Sequence, residues 1–177
     1  MNIKTYQGQA ERTLPDLGTK VLNTSHMIYG MLSEVNELYD STDSVNTSEE
    51  LSDISWYLAN YCTINSIDLN SLITFSSTYF FRKKEHYEKQ LVYDLSKLCN
   101  SEKRELAYKK PFNQEDKVDL VIEIAKSLND CYVYHKINIF DSLQKNIDKL
   151  KARFPEKFNE HDALNRDLDA ERKILEQ

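Results

Sequence analysis

Residues that end helices are scarce in this chain. Only three Gly and three Pro occur among its 177 residues, so few positions force the backbone out of a helix. Apolar residues recur along the chain at steps of three and four, as Ile28, Met31, Val35 and Leu38 do, which places them on one face of a helix. The sequence therefore predicts an all-α fold, with residues 1–177 forming a single domain of ordinary size.

The apolar pattern and its interruptions divide the chain into helices. The motif Thr47-x-x-Glu50 matches a capping box and is predicted to open one of them after a polar loop. Residues 158–177 are highly charged and are predicted to form a helical arm. The other helices are expected at residues 26–39, within residues 72–108 around the basic run Arg82-Lys83-Lys84, at residues 114–134 and at residues 140–153, with a short helix and a turn before about Ser25.

The charge balance and the cysteines limit the function classes. The formal net charge of −6 argues against general binding to nucleic acids, although a local basic pocket for one polyphosphate is compatible with it. Cys62, Cys99 and Cys131 have no zinc-site spacing and are odd in number, which indicates buried thiols in a reducing compartment. No apolar segment is long enough to span a bilayer. We expect a cytoplasmic protein that acts on small molecules and has no membrane partner.

Two pairs of carboxylates, Glu34-x-x-Glu37 and Glu50-x-x-Asp53, lie on consecutive predicted helices. At a spacing of three, both members of a pair lie on one side of a helix. Two antiparallel helices can thus direct four hard oxygen ligands to one point, where the charges repel each other unless a cation is present. The pattern predicts a site for Mg²⁺, or for Mn²⁺, with all four side chains as ligands.

Each acid taken alone also has an ordinary explanation. Glu50 can be the capping partner of Thr47, and Glu34 and Glu37 can decorate a solvated face. Asp53 is different, because Asp is a poor helix former in mid-helix and this one adjoins an apolar stretch. A calcium loop of the EF-hand type is excluded, since a loop counted from residue 40 has neither Gly at its sixth position nor Glu at its twelfth.

The acidic pairs and their neighbours resemble a known family. Glu34-Val-Asn-Glu37, followed by Glu50-Leu-Ser-Asp53, resembles the ExxE and ExxD signature of the all-α nucleoside triphosphate pyrophosphohydrolases, the MazG-like group related to dimeric dUTPases. Three further blocks resemble the opening of many members, their NxxKxxxRxP motif and the tail of phage-encoded members: Tyr6-Gln7-x-x-Ala10-x-Arg12-Thr13, Asn146-x-x-Lys149-x-x-x-Arg153-x-Pro155, and residues 158–172.

The chain also departs from the family pattern. Val35-Asn36 and Ser52 stand where members usually carry small residues and a Gly, and residues 74–114 look like an insertion relative to the shortest members. None of these differences removes a predicted metal ligand. They leave open which base and which sugar the nucleotide substrate would carry.

The resemblance implies a core like a four-helix bundle and hydrolysis of a nucleoside triphosphate to the monophosphate and pyrophosphate. It implies Mg²⁺ bound by the four carboxylates, with Glu37 or Glu50 as the general base. A homodimer or homotetramer is the implied assembly. The implied substrate-binding residues are Tyr57, Asn146, Lys149 and Arg153.

Other functions stay open at this point. A helical regulatory protein that retains this scaffold can bind a nucleotide signal or a host protein without turnover, although the complete set of acids argues against it. An acidic coiled-coil protein needs sustained heptads, which are absent. Trp56 can stack on a base or fill the core, and the core is the favoured interpretation. The histidines have no ligand spacing and receive no role.

Overall fold

The computed structural model describes residues 1–72 and 84–177, with the side chains of residues 84–86 excepted. All regular secondary structure in this part of the chain is helical, with no strand, so the predicted all-α class is confirmed. The helices are α1 (Ile3–Glu11), α2 (Lys20–Asp40), α3 (Ser44–Ile64), α4 (Leu69–Leu72), α5 (Lys84–Tyr108), α6 (Gln114–Tyr134), α7 (Ile139–Arg153), α8 (Glu160–Leu164) and α9 (Leu168–Leu175).

Four long helices surround the core. α2 contacts α3 and α5, and α6 contacts α5 and α3, while α1 and α7 pack on α3 and α9 packs on α7. Short connections join α2 to α3 and α5 to α6, which favours antiparallel neighbours. The apolar faces meet in one buried cluster that includes Met27, Met31, Leu51, Ile54, Leu58, Leu91, Leu95, Val121 and Ile124.

The start of α3 differs from the predicted capping box. The helix begins at Ser44, and Asp43 is its N-cap, with Oδ1 accepting hydrogen bonds from the backbone N–H groups of Val45 and Asn46 at 2.8 and 2.9 Å. Thr47 lies inside the first turns and donates its hydroxyl proton to the Asp43 carbonyl at 2.8 Å. Asp is at least as good an N-cap residue as Thr. Because Asp43 caps α3, Glu50 has no capping role.

The boundaries of α6 and α7 follow the prediction more closely. α6 has the predicted limits, and α7 begins one residue earlier at Ile139. α2 begins at Lys20, six residues before its predicted start, because Thr19 caps it. The predicted region 72–108 lies partly outside the described residues, together with Arg82 and Lys83 of its basic run. The predicted arm, residues 158–177, contains α8 and α9 and folds back onto α7.

In the described part of the chain, none of the helices combines the length and the apolar character needed to cross a membrane. The three cysteines are free thiols; Cys62 and Cys131 are buried, and Cys99 is half-buried.

Candidate active site

Three of the four predicted metal ligands come together where α2 and α3 face each other. Glu34 on α2 and Glu50 and Asp53 on α3 each place one carboxylate oxygen within 4.8 Å of the others, and all three residues are half-buried. Glu34 precedes the buried Val35 and Asp53 precedes the buried Ile54. The core packing of each helix therefore brings the adjoining acid to the border between the two helices.

Glu37, the fourth predicted ligand, lies outside this group. Its side chain is exposed, and its carboxylate accepts a long hydrogen bond of 3.5 Å from the Ser33 hydroxyl. It still lines the same cavity as the other acids. The arrangement is a group of three carboxylates with a fourth on the cavity wall.

Two of the clustered acids, Glu34 and Glu50, resist ionisation. Burial, followed by the charges of Asp53 and Glu37, raises the pKa of Glu34 from 4.5 to about 9. Burial and the charge of Asp53 also raise the pKa of Glu50, to about 7, while a hydrogen bond from Glu34 acts in the opposite direction. Glu34 therefore retains a proton at neutral pH and shares it with Glu50 when no cation balances the charges.

Asp53 is supported from behind by α7. Asn146 donates its Nδ2 proton to Asp53 Oδ1 at 2.5 Å, and Lys149 donates to Asp53 Oδ2 at 2.6 Å. Lys149 is only 1% exposed and also donates to Glu49 at 3.0 Å. Burial lowers the pKa of Lys149, but the charges of Asp53 and Glu49 outweigh it and raise the pKa overall.

Two of the predicted substrate-binding residues are thus placed beneath the cavity. Asn146 and Lys149 are buried and contact Asp53 rather than the open space. The Tyr6 hydroxyl lies 3.1 Å from Asn146 Oδ1 and fixes the amide from the other side. Glu49, which was not predicted as a site residue, is the second carboxylate that binds Lys149. These side chains hold Asp53 in place.

Arg153, at the end of α7, is bound by a buried acid of α9. Its Nε and Nη2 donate to the two oxygens of Glu171 at 2.8 and 2.5 Å, and Arg166 donates to the same carboxylate at 2.7 Å. The two guanidinium groups lower the pKa of Glu171 from 4.5 to about 2 although its burial acts to raise it. Glu171 was not predicted as a site residue, because its bidentate partner Arg153 lies 18 residues earlier in the chain, on another helix.

Tyr57 lies on the cavity wall in close contact with α2. A Cβ added to Gly30 would lie 2.1 Å from the Tyr57 ring, so the ring occupies the space that a side chain would need. Burial and the charges of Glu34 and Asp53 raise the pKa of Tyr57 to about 12. Trp56 is buried and donates its indole proton to Thr13 Oγ1 at 3.0 Å, as expected for a core residue.

A cavity of about 650 Å³ connects these groups. The acids Glu34, Glu37, Glu50 and Asp53 line it together with Tyr57 and Arg153 and with residues of α8 and α9. Its volume is within the range of sites that hold small molecules and cofactors. Another cavity, of about 730 Å³ between α2 and α5, contains none of the predicted site residues.

Carboxylate oxygens are the ligands that hard divalent cations prefer. Lys149 contacts both Asp53 and Glu49 and balances one of their two negative charges, while Glu34 and Glu50 share a proton. A cation with oxygen ligands can replace that proton and relieve the repulsion. The residues present thus fit Mg²⁺ or Mn²⁺.

Comparison of the chain with protein-family models, with curated proteins and with solved structures gives no match.

Proposed function

We propose that this protein is a Mg²⁺-dependent nucleoside triphosphate pyrophosphohydrolase of the MazG-like group. The observation that supports the proposal most is the convergence of Glu34, Glu50 and Asp53 from two helices inside a cavity large enough for a nucleotide. The mutual contacts of α2, α3, α5 and α6 are compatible with the four-helix-bundle core of that family. The order of the motifs along the chain supports the same assignment.

Each residue then has a distinct role. Glu34, Glu50 and Asp53 would hold the cation, and Asn146 and Lys149 keep the Asp53 carboxylate oriented toward it. Bound Mg²⁺ would supply stabilisation of phosphate charge and a lower pKa for a coordinated water.

Glu37 is the better placed of the two general-base candidates. It lines the cavity but lies outside the ligand group, whereas Glu50 is inside that group. The Glu37 carboxylate therefore stays available to accept a proton from a water that attacks the α-phosphorus. As the new P–O bond forms, the bond between that phosphorus and the bridging oxygen breaks and pyrophosphate leaves.

A panel of ribo- and deoxyribonucleoside triphosphates with MgCl₂ tests the proposal. We expect pyrophosphate release that falls at least about a hundredfold in Asp53→Asn and in Glu37→Gln. Calorimetry should show that Glu37→Gln still binds Mg²⁺, while Glu50→Gln binds it weakly. Glu115→Gln, which changes an exposed acid of α6 away from the cavity, is the control and should behave as the wild type. Tight nucleotide binding without turnover would instead support the non-catalytic nucleotide-binding function.

We also propose that the protein forms at least a homodimer, as the family resemblance implies. Exposed apolar side chains on α2 and α5, including Leu22, Tyr29 and Leu106, support this assembly, because such surfaces often mark protein contacts. Light scattering at micromolar concentration should give a mass of at least two chains, and a mass of one chain would contradict the proposal.

A further inference from the structure

The C-terminal segment, residues 158–177, forms part of the wall of the cavity that contains the carboxylates. Arg166 and Leu168 line the cavity together with Asp53. The segment is anchored to the body of the domain, since α9 packs on α7 and Lys145 Nζ donates to the Leu175 carbonyl at 2.8 Å. Its side chains therefore have fixed positions relative to the candidate metal ligands.

Glu171 joins two guanidinium groups within this wall. The residue is 4% exposed, and its two oxygens accept hydrogen bonds from both Arg153 and Arg166. One carboxylate between two guanidinium groups leaves an excess positive charge next to the cavity. A buried carboxylate with this number of charged hydrogen bonds also fixes the orientation of its partners.

The positively charged side chains around the cavity differ in how many of their N–H donors already form hydrogen bonds. Lys149 is buried and bound to Glu49 and Asp53, and Arg153 uses two nitrogens on Glu171. Arg166 uses one nitrogen on Glu171, and its side chain is 40% exposed. A guanidinium has five N–H donors, so Arg166 can bind Glu171 and an incoming anion simultaneously.

Arg166 also interacts electrostatically with the acids Asp53 and Glu49 on α3. Burial lowers the pKa of Arg166, but its hydrogen bond to Glu171 and the charges of Glu171, Asp53 and Glu49 together raise it. A polyphosphate bound through one end at the carboxylate-held cation needs a positive partner for its other oxygens, and the planar fork of a guanidinium matches phosphate geometry.

We propose that Arg166 binds the terminal phosphates of the substrate polyphosphate and that Glu171 is the positioning residue that directs Arg166 into the cavity. The nature of the substrate rests on the proposed function, whereas the binding of a polyphosphate by Arg166 is measurable without turnover. Because Glu171 holds the guanidinium before the substrate arrives, little side-chain freedom is lost on binding.

Binding of inorganic tripolyphosphate in the presence of MgCl₂ tests the role of Arg166. We expect Arg166→Gln to bind tripolyphosphate about tenfold more weakly than the wild type or worse, as for the loss of one charged hydrogen bond. Binding of a nucleoside monophosphate should change by less than about twofold, since it lacks the terminal phosphates. Lys173→Gln removes the same charge from an exposed position of α9 outside the cavity lining and should bind tripolyphosphate as the wild type does.

The positioning role of Glu171 is tested by kinetics and by a conservative change. Glu171→Gln should raise KM for the triphosphate with a smaller effect on kcat, and Arg166→Lys should recover part of the affinity that Arg166→Gln loses. Circular dichroism must show that each variant is folded at the assay temperature. If Glu171→Gln does not fold, the Arg166 variants alone decide the proposal.

The outcomes separate this inference from the proposed function. A wild type that binds tripolyphosphate through Arg166 but hydrolyses nothing supports the inference and rejects the pyrophosphohydrolase. A wild type that releases pyrophosphate, with unchanged KM and tripolyphosphate affinity in Arg166→Gln, supports the enzyme and overturns the inference.

Discussion

At the residue scale, Asp53 connects the two groups of charges in the site. One oxygen accepts from Asn146 and the other from Lys149, yet each oxygen of an ionised carboxylate offers about two acceptor sites. Asp53 can therefore keep both internal partners and still face Glu34 and Glu50. Removing Lys149 would leave Asp53 and Glu49 uncompensated, which explains why a fully buried cation is present at this position.

The contact of Gly30 with Tyr57 predicts a sharp difference between two glycine substitutions. Gly30→Ala places a Cβ 2.1 Å from the Tyr57 ring, so the ring must move and the free energy of unfolding should fall by about 1–3 kcal/mol. Gly8→Ala is the control, because a Cβ there meets nothing within 4 Å. This substitution should stabilise α1 by about 0.5–1 kcal/mol. Urea unfolding measures both changes. Equal stability of Gly30→Ala and the wild type would contradict the close packing of Tyr57 on Gly30.

The sequence predicted some residues of the site better than others for a physical reason. Glu34, Glu50 and Asp53 were found because helical spacing within a few residues decides which face an acid occupies. Glu49 and Glu171 were missed because their roles depend on Lys149 and Arg153, and contacts between remote positions leave no mark in local spacing. The position of Glu37 outside the cluster could not be predicted from local spacing either, because it depends on how α2 and α3 pack.

At the element scale, the ends of the helices depend on residues whose local chemistry allows more than one choice. α6 begins and ends where the apolar period predicts, and Asn113 caps its first turn. Two residues past the ends of α3 and α6, Ser66 and Lys136 adopt the left-handed region, at φ of 58° and 57°. The residue after each donates a backbone hydrogen bond to a carbonyl of the last helical turn. Glycine usually occupies such positions, so a helix end that has Ser or Lys there is hard to predict from the sequence.

The N-cap of α3 gives a prediction about stability. Asp43→Ala removes the acceptor for two backbone N–H groups and should lower the free energy of unfolding by about 1 kcal/mol. Asp43→Asn keeps an oxygen in place and should be nearly neutral, because the long contact of Asp43 with Arg172 is an exposed ion pair of small value. Chemical denaturation compares the two variants. A loss as large in Asp43→Asn would show that charge, and not capping, is what matters at this position.

The attachment of α9 to α7 through Glu171 predicts a dependence on acid. The pKa of Glu171 is lowered in the folded protein from 4.5 to about 2, so its contribution to stability is present above about pH 4.5 and is lost as the pH falls toward about 2. Glu171→Gln should therefore be less stable than the wild type at neutral pH, and the difference should shrink on acidification. Unfolding curves at neutral and acidic pH measure this, with Glu115→Gln as the control. A difference that stays constant down to about pH 2 would contradict the role of the ionised carboxylate.

At the scale of the whole molecule, negative charge is concentrated where α2 and α3 meet while the opposite wall is basic. The net charge of −6 does not describe this separation, because Arg153, Arg166 and Lys149 lie on the C-terminal side of the same cavity or beneath it. The first half of the chain thus provides the acids and the last third provides the cations. Folding brings them together, and the stability of the domain is linked to whatever neutralises the acids.

This linkage predicts that Mg²⁺ stabilises the whole protein more strongly as the pH rises. The pKa of Glu34 is raised from 4.5 to about 9 in the folded state, so the stabilising effect of its proton is complete below about pH 4.5 and is lost as the pH rises toward about 9. Mg²⁺ competes with that proton and binds more tightly when the proton is absent. We expect a small increase in Tm with MgCl₂ at about pH 5.5 and a much larger one at about pH 8.5, measured by calorimetry with EDTA as the metal-free reference. In Glu34→Gln the more strongly held proton is gone and one ligand is lost, so the Mg²⁺ effect should be weaker and should rise less with pH, and the remaining rise should follow Glu50, whose pKa is raised to about 7. An equal increase in Tm at both pH values in the wild type would show that the cation binds elsewhere than at the clustered carboxylates.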